Sequence, residues 1–258
     1  MSITPPLIDD GSMDVHIDDG VATVRFGHHK SNALPGVLLR TMAATIESTS
    51  RRDDVRVIVL RSEGQGAFCA GASFDELIAI ADPAAGKEFF LGFARVILSM
   101  IGAPVPVVTA VQGKVVGGGV GLVAASDYCI AVEKASLKLS ELAIGIGPFV
   151  VGPVIERKIG PGPFGAMALD ADWRDAAWAE RHGLYAEVVA DAAALDAAVA
   201  LRAQSIAAAN PEATRGIKRA LWQGTEHWEK LLDERAATSG ELVLSEFTRA
   251  AITKFKTS

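Results

Sequence analysis

Two cysteines are all that 258 residues carry. Both Cys69 and Cys129 sit in apolar neighbourhoods and read as reduced core thiols in place of a disulfide framework. Positive charge is short as well: a net charge of -6 with pI near 5.4 leaves no electrostatic footprint for nucleic acid. Apolar residues make up 50% of the chain and the mean hydropathy is +0.27. Every apolar run is nevertheless broken by glycine, proline, Gln112 or Lys114 before it reaches the roughly 18 to 20 residues of a membrane span. The first twenty residues hold Asp9, Asp10, Asp14, Asp18 and Asp19 and no apolar stretch, so no signal peptide is expected. Metal-ligand clusters are missing too, because His28-His29 has no Asp, Glu or Cys at ligand spacing. These absences predict a cytoplasmic protein with no bound metal, no nucleic-acid partner and no membrane association. The chain is long enough to bury a real core, and its alanine-rich apolar surplus leaves room for a buried subunit interface.

What is present is an alternation of strands and helices. Residues 14–17 and 21–26 alternate apolar with polar around Asp18-Asp19-Gly20, a hairpin signal at the edge of a sheet. A loop over 28–34 leads to helical spacing over 34–48, carried by Leu38, Leu39, Met42 and Ile46. Residues 55–61 form a buried strand, followed by a turn at 62–66. Small residues from Ala67 then lead into a helix with Asp75 and Glu76 in its first turn. A helix over 84–101 presents Leu91, Ala94, Ile97, Leu98 and Ile101 on one face. The β-branched run 105–111 is the third strand, Gly117-Gly118-Gly119 clears space, 120–125 opens a helix, and 127–132 is the fourth strand. Three such alternations predict parallel pairing through right-handed helical crossovers. Beyond, 142–158 breaks into short helical pieces around glycine and proline. Helices over 176–182 and 193–209 flank a short strand at 185–189, another starts at Pro211, and an amphipathic stretch covers 231–255. No repeat or low-complexity linker divides the chain.

Two helix starts, one after the small residues from Ala67 and one at Gly117 to Gly119, are free of bulky side chains. Their first amides have no partner inside the helix and suit a developing anion, although glycine there also permits close helix–sheet packing. The chain now resembles the enoyl-CoA hydratase/isomerase family, the crotonase superfamily. Four motifs carry the resemblance: Ser31-Asn32-Ala33-Leu34; Ala67-Phe68-Cys69-Ala70-Gly71-Ala72; Gln112-Gly113 with Gly117-Gly118-Gly119 and Ser126-Asp127; and Glu141 with Gly145 and Pro148.

The resemblance implies an α/β fold: a core of repeated ββα turns in a spiral over residues 1–190, with a C-terminal helical region over 191–258 for oligomerisation and as an acyl-pocket lid. It implies a homotrimer or hexamer and an acyl-CoA substrate whose coenzyme A is the only cofactor. It further implies an oxyanion hole of the Ala72 and Gly118 amides, worth about 2.7 to 4 kcal/mol of barrier per donor, and Glu141 as general acid/base. Ala33, Ala70, Ser73, Phe74, Asp75, Gly117 and Phe149 would border the CoA and acyl path, with His29 or Lys30 near the nucleotide end. One departure stands out. Hydratases of the family carry a first glutamate two residues after the glycine triplet, where this chain has Gly121. A single carboxylate suffices to move a proton between two carbons, whereas adding water normally needs a second group. Glu76, Glu156 and Asp75 are candidates to supply one, and Phe149 would help to dry the site. Three other readings are open: Ser140-Glu141 as a helix-start pair; Gly119-Val120-Gly121-Leu122-Val123-Ala124 as a dinucleotide fingerprint; and a scaffold or RNA-binding protein without catalysis.

Overall fold

The computed structural model describes residues 10–256; the first nine, including Asp9, lie outside it. β1 (Ser12–Asp18) and β2 (Val21–Gly27) form the expected edge hairpin. Its two-residue turn, Asp19 and Gly20, takes positive φ at both positions, the conformation that matches the twist of the flanking strands. α1 (Gly36–Ser50) follows, then β3 (Val57–Ser62), α2 (Phe74–Ala79), α3 (Pro83–Ile101) and β4 (Val107–Val111). β5 (Val115–Val116), α4 (Gly118–Ala124), β6 (Tyr128–Val132) and β7 (Ser136–Lys138) come next. After a 3₁₀ turn at Leu142–Ile144 come α5 (Gly152–Ile159), α6 (Pro161–Asp170), β8 (Arg174–Asp175), α7 (Ala176–Arg181) and β9 (Glu187–Val189). The chain ends in α8 (Ala192–Ala208), α9 (Pro211–Trp222), α10 (Trp228–Leu242) and α11 (Glu246–Lys256).

The main sheet has the order β1-β2-β3-β4-β6-β9 and is parallel except at the β1–β2 hairpin. Every residue of β4 is buried, as expected of a parallel strand covered on both faces. A second sheet, β5-β7-β8, stands beside it. Its strands are only two or three residues long, too short to leave a periodic pattern, and this is why the sequence reading has no counterpart for them.

Two expectations change. The single amphipathic stretch over 231–255 is two helices, broken between Leu242 and Glu246, where Ser245 Oγ accepts the Thr248 amide and restarts the helix. The buried face of α3 is also rotated from the expected one: Phe89, Phe90, Phe93, Val96, Ile97 and Met100 are inside, while Leu91 and Leu98 are only half-buried. α3 packs directly on α10, because Gly86 and Gly240 let the backbones touch. A Cβ on Gly86 would lie 2.6 Å from the Gly240 carbonyl oxygen.

A buried polar knot ties α9 to the start of β4 and β6. Asp127 Oδ2 accepts from Lys218 Nζ at 2.6 Å and from the Val107 amide at 2.7 Å, and its Oδ1 accepts from Trp222 Nε1 at 2.7 Å. Lys218 Nζ also donates to Met100 O at 2.7 Å. Cys69 and Cys129 are buried free thiols, and burial pushes the Cys69 thiol up to about 12. No single helix among the described residues is long and apolar enough to cross a membrane.

Candidate active site

Three loops are laced side by side. The Leu34 amide donates to Gly71 O at 2.8 Å, and the Ser73 amide donates to Leu34 O at 3.2 Å. These two bonds make Ala72 the bridge partner of Leu34. Successive peptide groups in an extended segment point to opposite sides, so the Ala72 N–H faces away from Leu34. On the other flank, the Phe68 and Cys69 amides donate to Lys114 O and the Val116 amide donates to Cys69 O. Asn32 braces the set: its Nδ2 donates to Glu63 O and Ala67 O at 2.9 Å each, and its Oδ1 accepts the His28 amide at 3.0 Å. Asn32 is buried and left-handed at φ 58, a conformation that asparagine tolerates better than most residues.

Glycine is required where the loops meet. Gly71 has φ +93, and a Cβ there would lie 3.1 Å from Val116 O. Gly117 caps α4 with φ 53 and ψ -122, and its own amide is used by Lys138 O at 2.9 Å. Among the described residues, neither the Ala72 nor the Gly118 amide has a hydrogen-bond acceptor.

These segments enclose a cavity of about 50 Å³. Ala70, Ala72, Phe74, Gly117, Gly118, Glu141 and Phe149 of the expected set line it. Ala33, Ser73 and Asp75 stand outside the lining. Ala33 donates its amide to Lys30 O; Ser73 Oγ caps α2 by accepting the Glu76 amide; and Asp75 pairs with Lys30 at the surface. His29 also lies away from this cavity, its ring 4.5 Å from that of His28, beside a separate cleft that Gly27 and Glu63 share. Sequence reasoning missed Phe90 and Phe93 of α3, Val151 ahead of α5, and Ser239 of α10, all of which line the cavity. The spacing of Phe90 and Phe93 was a usable signal for a helix face. Ser239 and Val151 left none.

Among the described residues, Glu141 is the only ionisable side chain in the lining. It stands just before the 3₁₀ turn, where its carbonyl accepts the Ile144 and Ile146 amides. Glu141 is the N-cap residue of that turn, as the helix-start reading has it, but its side chain makes no capping bond. Oε1 lies 3.2 Å from where a Cβ on Gly117 would be. Oε2 is buried with no hydrogen-bond partner. Burial pushes the carboxyl up from 4.5 to about 7, against a smaller opposing pull from the backbone amides of Glu141 and Ser140.

The place of the missing glutamate is filled. Gly121 is buried in α4, and a Cβ there would lie 2.5 Å from Val151 Cγ1 and 2.9 Å from Val151 Cβ. Among the described residues, no replacement carboxylate lines the cavity. Glu76 Oε2 accepts the Gly36 amide at 2.8 Å at the start of α1, Asp75 is engaged with Lys30, and Glu156 is exposed on α5. The dinucleotide reading fails on the same helix. A Cβ on Gly119 would lie 2.7 Å from Cys69 Cβ, so these glycines serve close packing and do not open a phosphate cradle.

Comparison with known proteins bears on the family. The model of the enoyl-CoA hydratase/isomerase family matches residues 16–252. YngF of Bacillus subtilis, assigned by name to the enoyl-CoA hydratase/isomerases, is 32% identical over 197 residues, covering 76% of this chain and 75% of that one. A (7aS)-7a-methyl-1,5-dioxo-2,3,5,6,7,7a-hexahydro-1H-indene-carboxyl-CoA hydrolase of Mycobacterium tuberculosis is 30% identical, covering 79% and 81%. The crystal structure of an enoyl-CoA hydratase from Mycobacterium avium superposes with a TM-score of 0.83 at 25% identity, over 95% of this chain and 96% of that one. The match of the family model along most of the sequence, the relatives at 30% identity or more and the shared α/β fold place this chain in the enoyl-CoA hydratase/isomerase family of enzymes.

Proposed function

We propose that this enzyme moves a double bond along an acyl-CoA thioester, with Glu141 as the sole proton shuttle. The observation that carries the reading is that the cavity holds one carboxylate and that Val151 fills the space beside Gly121. Bound 3-enoyl-CoA would direct its thioester oxygen at the Ala72 and Gly118 amides. The Glu141 carboxylate takes a proton from C2, the C2–H electron pair becomes the C1–C2 double bond of a dienolate, and the oxyanion accepts both N–H bonds. The electrons then return through C2–C3, C4 takes the proton back from the Glu141 carboxyl, and 2-enoyl-CoA leaves. Nothing is consumed, and no cofactor is needed beyond the coenzyme A of the substrate. A carboxyl near 7 suits both halves, since it is neither too weak a base nor too weak an acid at neutral pH.

Hydration of 2-enoyl-CoA would require a second acid/base group to activate water, and among the described residues the lining offers no second carboxylate. The test is turnover of a 3-enoyl-CoA and of crotonyl-CoA by the same purified protein. A gain of conjugated-enoyl absorbance from the first without loss from the second is expected. Efficient hydration of crotonyl-CoA would overturn the reading.

A further inference from the structure

The cavity lining carries two hydroxyls that proton shuttling leaves unused, that of Ser140 beside Glu141 and that of Ser239. Ser239, on α10, is 1% exposed and lines the cavity, yet its hydroxyl has no hydrogen-bond partner among the described residues. The neighbouring Thr238 shows the ordinary alternative: its Oγ1 bonds back to Glu234 O at 3.2 Å within the helix. Ser239 makes no such bond to the preceding turn. The Gly86–Gly240 backbone contact fixes its position by pressing α10 onto α3 next to Phe90 and Phe93.

Ser239 shares this lining with the apolar side chains of Leu77, Phe90, Phe93 and Val151. A plain alkyl chain seated there would leave the hydroxyl dry and unpaired, which is unfavourable. An oxygen on the acyl chain would complete it, because a serine hydroxyl both donates and accepts. No lysine or arginine lines the cavity, so a carboxylate at that place would be a buried charge without a partner.

We propose that Ser239 is a specificity-determining residue that selects acyl-CoA thioesters bearing a neutral oxygen, hydroxyl or carbonyl, beyond the β-carbon, over both plain alkyl and carboxylated chains. This rests on the thioester reading above. It adds the acyl class, which the family fold leaves open.

Calorimetric binding of butanoyl-CoA, 4-hydroxybutanoyl-CoA and succinyl-CoA to the wild-type protein and to Ser239→Ala tests it. The wild type is expected to bind the hydroxy thioester about tenfold more tightly than butanoyl-CoA and to bind succinyl-CoA most weakly; Ser239→Ala is expected to lose the preference for the hydroxyl. Equal wild-type affinity for the hydroxylated and plain chains would overturn the proposal, and so would a preference that survives in Ser239→Ala. Exchange of the C2 protons of butanoyl-CoA in D2O by the wild type separates the two levels. Exchange without hydroxyl preference sinks the Ser239 assignment alone, whereas neither exchange nor binding with any thioester sinks the enolate reading and this proposal with it.

Discussion

Replacing Glu141 with glutamine should abolish turnover and at the same time stabilise the fold at alkaline pH. The folded-state carboxyl lies near 7 against an ordinary 4.5. That difference, about 2.5 pH units at 1.36 kcal/mol each, sets a ceiling of about 3 kcal/mol. Glu141 as a whole is half-buried, with Oε2 the covered atom, so solvent screening of the rest reduces the figure to about 1 to 2 kcal/mol. The sign follows from linkage. A carboxyl whose folded pKa is raised contributes its stability in full below the unfolded value, loses it as pH rises from about 4.5 through 7, and levels off above. Denaturant unfolding of both proteins at pH 5 and pH 8.5 isolates the effect, because any pH-independent consequence of the substitution cancels between the two conditions. The wild type should lose about 1 to 2 kcal/mol more than Glu141→Gln between those conditions. Parallel pH dependence in the two proteins would refute the claim that the carboxylate is held in a desolvated, unpartnered position. In wild-type kinetics the same group should make kcat/KM rise with pH and level off above about 7.

Three further outcomes can be checked. Gly121→Ala should cost about 1 to 2 kcal/mol through overpacking against Val151, and Val151→Ala should relieve part of that in a double-mutant cycle; additive effects would place the two residues out of contact. Gly117→Ala should lower turnover more than stability, because it strains a φ of 53 by about 1 to 2 kcal/mol and crowds Glu141 Oε1. An unchanged kcat in that variant would argue against the position assigned to Glu141. Lys218→Met should destabilise the protein by about 3 to 5 kcal/mol, since it leaves Asp127 charged in the interior, where the two side chains are 7% and 2% exposed. A loss below about 1 kcal/mol in urea unfolding would show that Trp222 and the Val107 amide satisfy Asp127 by themselves.

The parallel core was legible because its strands are runs of valine and isoleucine and its helices carry 3.6-residue spacing. The glycines of Gly117 to Gly119 and the pair Ser140-Glu141 marked the cavity from opposite sides of the chain. Gly121 was visible as a departure, but its consequence was not: that Val151 occupies the vacated space is a contact between residues thirty positions apart, and no local pattern encodes it. Ser239 is hidden for the same reason, since only the Gly86–Gly240 crossing carries it into the cavity. Of the motif around Asn32, Ala33 was expected on the substrate path, whereas the Asn32 side chain braces Glu63, Ala67 and His28. A polar loop residue gives the same sequence signal whether it braces the backbone or meets a substrate.

The central claim is that one carboxylate takes the proton from C2 and returns it at C4. A 3-enoyl-CoA deuterated at C2, turned over in ordinary water and analysed by NMR, tests this most directly. With Glu141 Oε2 sealed from solvent, part of the deuterium should reappear at C4 of the 2-enoyl product. Complete washout of the label, or a hydrated product, would contradict a single sheltered shuttle.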